Sequence, residues 1–203
     1  MRRKTFDVLT SAVGLALAVI MLVAGGLLLW GHNFINNEVH NQLAAQKIVF
    51  PANNSPAIKA PEFAAMHQYA GQLMTTGAQA EVYADHFIAN HLKVIGGGLT
   101  YSQLSAKAIA QPKNAALAGQ VATVFKGETL RGLLLNAYAF GTMGMLAGIA
   151  AIVAFAGGLV LLILSALGFA HERRAPAEAE IFAKVVTSNG KKATPTPAPV
   201  TTS

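Results

Sequence analysis

The chain has no cysteine, which excludes disulfides, thiolate metal sites, a cysteine nucleophile and a lipidated cysteine anchor. Charge is nearly as scarce. Asp, Glu, Lys and Arg make up 12% of the 203 residues, against about 25% in an ordinary soluble domain. The shortage is concentrated in two places, with no charged residue from Val8 to Trp30 or from Gly132 to Ala170. A proton relay, ion pathway or transporter core built by this chain alone would need ionisable groups within such runs. An alternating strand pattern is also missing, as is any repeat of about 20–50 residues. What is present is apolar: 53% of residues are hydrophobic, enough for membrane spans plus one small domain.

The run Val8–Trp30 is 23 residues long, and at about 1.5 Å per residue a helix of that length crosses a hydrocarbon core of roughly 30 Å. Arg2, Arg3 and Lys4 precede it, and Trp30 closes it where indole rings prefer the interface. Its length, and the lack of a small-x-small site after Trp30, favour an uncleaved anchor over a signal peptide. The second run covers 39 residues, too many for one span. Its aliphatic part, residues 146–169, is the expected second transmembrane helix. Gly132–Met145 would extend outward, with Asn136, Tyr138 and Thr142 near the interface. Six basic residues flank the terminal side (Arg2, Arg3, Lys4, Arg173, Arg174, Lys184) and two the loop side (Lys47, Arg131). The excess places both termini in the cytoplasm and residues 31–145 outside, in a multi-pass protein of the cell membrane.

The fold expected is therefore an all-α membrane protein: two transmembrane helices and an extracytoplasmic bundle of three to four helices. The organisation reads as a basic cytoplasmic N-terminus (1–7), transmembrane helix 1 (8–30), the external domain (31–145), transmembrane helix 2 (146–169) and a disordered cytoplasmic tail (170–203). Within the domain the first helix should continue through Asn36–Gln46, and the segment 50–61, with Pro51, Pro56 and Pro61, should be a loop. Glu62–Lys93 reads as one long helix, because Met66, Ala70, Leu73, Gly77, Ala80, Ala84 and Phe87 fall at steps of three and four. Gly96–Gly98 should end it. A short helix follows over Tyr101–Ala110 with Ser102 as N-cap, then a break at Gln111–Pro112 and a helix from Asn114 toward the second span, interrupted near Gly127. The tail ends in a Thr/Pro/Ala run that cannot bury a core.

Chemistry is thinly signalled. Carboxylates and imidazoles cluster at Glu81, Asp85, His86 and His91, residue types that hold metals or move protons. Glu81 and Asp85 share a helix face, but His86 and His91 point about 140° apart on a regular helix. A metal held by Glu81, Asp85 and His86 would need a histidine from another segment, such as His32, His40 or His67. No His-Glu-x-x-His or Glu-x-x-His occurs, none of the serines sits in a hydrolase motif, and the glycine triplet lacks a phosphate-loop context. No catalytic or cofactor-binding residue is nominated, and no cofactor is expected. The clearest pattern is a stripe of small residues, Gly141, Gly144, Gly148, Ala151, Ala154 and Gly158, which lets helix backbones approach closely, either within the chain or against another membrane protein.

Four segments carry a resemblance: Leu-Leu-Leu-Trp-Gly (27–31), His-Asn-Gln-Leu-Ala-Ala-Gln (40–46), Tyr-Ala-Asp-His-Phe-Ile-Ala (83–89) and Gly-Glu-Thr-Leu-Arg-Gly-Leu-Leu-Leu-Asn-Ala-Tyr (127–138). Over residues 1 to about 174 the chain resembles a family of uncharacterised actinobacterial two-span membrane proteins. Such proteins are sometimes labelled aromatic ring-opening dioxygenases. That label would require two histidines and a carboxylate arranged facially around iron, and the spacing here does not supply them.

The leading expectation is a non-enzymatic protein. Its partners are the lipid bilayer and either another membrane protein, as an accessory subunit would have, or a second copy of itself. The mild +2 balance of residues 31–145 and their external location speak against nucleic acid. The alternatives are a metal-dependent membrane-anchored enzyme using the Glu81/Asp85/His86 cluster, and a small oligomeric pore.

Overall fold

A computed structural model describes residues 3–174. The described chain is helical, and it contains two helices long and apolar enough to cross a membrane. These are α1 (Arg3–Ala45) and α5 (Ala115–Arg174). Of the most apolar stretch of each, only 11% and 17% is buried. Between them lie a 3₁₀ turn (Pro56–Ile58), a 3₁₀ helix (Pro61–Tyr69), α2 (Gly77–Val82), a π-helical segment (Tyr83–Ile88), α3 (Ala89–Ile95) and α4 (Tyr101–Ala110). Of the tail expected over 170–203, residues 170–174 are the last turn of α5, and the rest lies outside the described residues.

The chain divides into two compact units: Gly25–Val153, and the parts of the long helices on either side of it. In the latter unit α1 and α5 run antiparallel in a reciprocal arrangement. Ser11 faces Gly168, and Ser165 faces Gly14. Both serines are buried, as is Ala18. Leu22 and the carbonyl of Ala18 lie against Gly158, where a Cβ would meet them at 3.0 and 3.3 Å.

Gly25–Val153 has its own core of Val39, Leu43, Phe50, Ile58, Met66, Met74, Ala80, Ala84, Ile88, Leu92 and Leu134. Phe50 is at its centre, with its ring 5.4 Å from those of both Tyr69 and Tyr83. A smaller cluster, Leu104, Leu117 and Val124, joins α4 to the start of α5.

The single helix expected over Glu62–Lys93 is not formed. The 3₁₀ helix stops at Tyr69, Gly71 turns the chain at φ +73°, and α2 starts only at Gly77. The intervening backbone pairs with the segment after α1. Phe50 N–H donates to the Gln72 carbonyl (2.9 Å), Gly71 N–H to that of Phe50 (3.1 Å), and Met74 N–H to that of Ile48 (2.8 Å). These bonds surround an antiparallel bridge between Val49 and Leu73, the one extended pairing among the described residues. Helix restarts because Thr76 and Gln79 form a capping box. Gln79 N–H donates to Thr76 Oγ1 (3.2 Å), and Gln79 Oε1 accepts from the N–H groups of Thr76 (3.1 Å) and Thr75 (2.7 Å). Gln79 also donates to Gln72 Oε1 (3.1 Å), so this buried amide is well satisfied.

Two further expectations are corrected. The N-cap of α4 is Thr100, not Ser102, because Thr100 has Gln103 at the third helical position and completes a second capping box. Nor is α5 interrupted near Gly127. That glycine provides a seat for the Leu92 side chain, and the helix continues through it. The helix begins one residue after Asn114, whose Oδ1 accepts from Leu117 N–H at 3.0 Å.

Candidate functional site

The acidic and histidine residues of the domain's long helical stretch sit where its geometry is irregular. Glu81 is in α2; Asp85 and His86 are in the π-helical segment, a widened turn of the kind often found at functional positions. Asp85 is directed at α5, where its Oδ1 accepts from Arg131 Nη2 at 2.8 Å. Arg131 Nη1 lies 3.4 Å from Glu128 Oε2 one turn earlier. The hydrogen bond it donates to Asp85 holds the Arg131 guanidinium charged to a pH even higher than usual. With the two side chains 32% and 41% exposed, solvent screens the pair, and its net worth is about 0–1 kcal/mol. Arg131 Nε is buried without a partner, which offsets part of that.

The histidines go elsewhere. The backbone carbonyl of His86 accepts from Asn90 Nδ2 at 2.7 Å. His91 Nδ1–H donates to the Phe87 carbonyl at 2.7 Å, and its ring lies 4.4 Å from that of Phe87 and 5.5 Å from that of Phe63. His67 is engaged with Asn53 Oδ1 at 2.9 Å. Among the described residues no three His, Asp or Glu side chains gather closely enough to hold a metal ion. Glu81, Asp85 and His86 are neighbours in sequence whose clearest side-chain engagement is the ion pair of Asp85. Burial raises the Tyr83 hydroxyl above its ordinary pKa, since the phenolate would be poorly solvated beneath Phe50.

The small residues of α5 are occupied by other parts of the chain. Within Gly25–Val153, Gly141 abuts Gly77, whose own Cβ position would be 3.0 Å from the Ala137 carbonyl oxygen. Gly144 is covered by Asn36 and Ile35, and Gly148 by the His32 ring. Ala151 is buried. In the other unit Gly158 receives Leu22 and Ala154 is half-buried.

His32, named from the sequence only as a possible extra metal ligand, lies one turn from Asn36 on α1 and packs against α5. His32 Nδ1–H donates to the Gly144 carbonyl at 2.7 Å. Asn36 Nδ2 lies 3.3 Å from Nε2, the other ring nitrogen. The available signal was an i, i+4 polar pair directly after Trp30, where the apolar run ends.

At the α3–α4 end of the same unit, apolar side chains are left uncovered. Val94 is 82% and Ile109 77% exposed, while Tyr101 and Phe125, whose ring centroids are 5.5 Å apart, are 38% and 54% exposed. No family model, curated protein or solved structure matches this chain.

Proposed function

We propose that the chain is a two-span membrane protein. Residues 8–30 and 146–169 cross the bilayer, both termini lie in the cytoplasm, and residues 31–145 form an external helical domain. That domain binds or positions another envelope component, or a second copy of the protein. The spans are supported by apolar side chains that face outward all around α1 and α5 (Ile20, Leu27, Ile152 and Leu167 among them), which lipid tolerates and water does not. The orientation rests on the basic residues at the terminal side.

The observation that carries the binding role is the exposed group Val94, Tyr101, Ile109 and Phe125. These residues are outside both proposed spans, so lipid does not account for them, and apolar surface of this kind is a usual mark of a protein interface.

Two experiments test the proposal. Because the chain has no cysteine, single cysteines report topology cleanly. An impermeant maleimide applied to intact cells should label Asn54→Cys and leave Ser188→Cys unlabelled until the cells are opened; the reverse would overturn the orientation. A photo-crosslinking amino acid at Ile109 or Phe125 should yield one discrete adduct in native membranes. A smear, or no adduct at both positions, would refute the docking role.

A further inference from the structure

A cavity of about 520 Å³ opens within Gly25–Val153, between α1, the capping box of α2 and α5. Its size is that of small-molecule sites generally. Its chemistry is specific: no Lys, Arg, Asp or Glu lines it. Its apolar lining includes Gly77 and Gly141, which abut, together with Val39 and Met145. Hydrogen-bonding groups line it as well. The hydroxyls of Thr75 and Thr76 are engaged with Gln79. Asn37 and His40 are exposed and Tyr138 and Thr142 half-buried, so their amide, imidazole and hydroxyl groups are open to whatever enters the cavity.

From this lining we infer that the cavity binds an uncharged polyhydroxyl group of the size of one sugar ring. A sugar has an apolar C–H face for the apolar lining and hydroxyls that both donate and accept, and the amide, imidazole and hydroxyl groups of the lining match them in kind. An anionic headgroup would find no lysine or arginine in the lining to pair with. The position of the cavity suggests how the ligand arrives. Thr142 and Met145 lie directly before the proposed second span, so the headgroup of a glycolipid in the outer leaflet would reach them; this step rests on the two-span proposal. A free saccharide has the same chemistry.

The test uses full-length protein in nanodiscs containing glucosyl-diacylglycerol, diacylglycerol or phosphatidylglycerol, with retained lipid read by native mass spectrometry. Methyl glucoside is added separately to lipid-free protein in detergent. The glucolipid should be retained over both other lipids. Tyr138→Phe and Thr142→Val, which keep side-chain shape, should each weaken retention by about three- to tenfold, the worth of one hydrogen bond. Retention of the glucolipid alone identifies a lipid headgroup, and binding of methyl glucoside in the absence of lipid identifies a soluble sugar. Equal retention of all three lipids with no methyl glucoside binding, or variants without effect, would overturn the inference. A chain that fails to enter nanodiscs would instead count against the membrane spans, and the methyl glucoside arm would still decide the site.

Discussion

Replacing Gly148 by alanine ought to help a helix, and here it should not. Glycine within a helix is less stable than alanine by about 0.5–1 kcal/mol, so Gly148→Ala on an open face would stabilise the protein by that amount. At this position the new methyl carbon would lie 2.6 Å from His32 Nδ1 and 2.9 Å from Cε1, inside contact distance. The ring must swing away, losing its hydrogen bond to the Gly144 carbonyl and its packing on the helix. The lost bond costs about 0.5–1.5 kcal/mol, and with the lost packing the total is about 2 kcal/mol. The expected net effect is a loss of about 1 kcal/mol after the helix gain. Once the ring is removed by His32→Ala, the same Gly148→Ala change should become stabilising. The assay is thermal unfolding in mild detergent followed by helical circular dichroism, run as a double-mutant cycle with a coupling of about 2 kcal/mol. Should Gly148→Ala stabilise the wild-type protein, or cost the same with and without His32, the proposed contact does not govern this part of the fold.

Other perturbations address the core and the ion pair. Phe50→Ala removes the ring that Tyr69 and Tyr83 share, and should cost about 3–5 kcal/mol; a loss below 1 kcal/mol in urea unfolding would mean that the segment after α1 is not seated. Asp85→Asn and Arg131→Met should each cost under about 1 kcal/mol and the loss should shrink in high salt, whereas a large, salt-independent loss would show a pair shielded from solvent. The Tyr83 hydroxyl, raised above 10.0 by burial, should ionise above the ordinary tyrosine range in an absorbance titration, and Tyr83→Phe should remove that late component. Its folded pKa lies above its unfolded one, so its contribution to stability is complete below pH 10 and is lost as pH rises past the ordinary value.

Much of the architecture was legible wherever the sequence punctuates itself. Tyr101–Ala110 was readable as a helix because glycines precede it and Gln111–Pro112 follow it. Its cap was misassigned for a local reason that is also in the sequence: Thr100 has a glutamine three residues on, whereas Ser102 has a serine. The break inside 62–93 was harder to see. Met66, Ala80 and Ala84 keep helical spacing and are buried as expected, but spacing alone does not reveal that residues 48–50 compete for the backbone of residues 71–74. Gly71 and the Thr76–Gln79 capping pair were the overlooked signs. The Asp85–Arg131 contact joins residues 46 positions apart, and no local pattern encodes it. For the same reason the cavity could not be read from sequence: its walls come from three separated segments.

The glycines of α5 bear on where a partner could sit. A run of small residues at helical spacing suits either an internal neighbour or a foreign helix, and on spacing alone the two are equivalent. Within Gly25–Val153 the four seats are taken by residues of three other helices: Leu92 of α3 on Gly127, Gly77 of α2 on Gly141, and, from α1, Asn36 with Ile35 on Gly144 and His32 on Gly148. Each seat is shaped by what fills it, so a foreign helix would have to displace several of these contacts at once. The apolar residues Leu133, Phe140 and Met143 remain exposed, as do Ile109 of α4 and Phe125 near the start of α5. Adding methyl groups to the glycines should therefore lower stability while leaving a partner's affinity largely intact. Changes at Ile109 and Phe125 should do the opposite. On the proposed binding role, the small-residue stripe serves folding, and recognition is left to side chains that its packing leaves exposed.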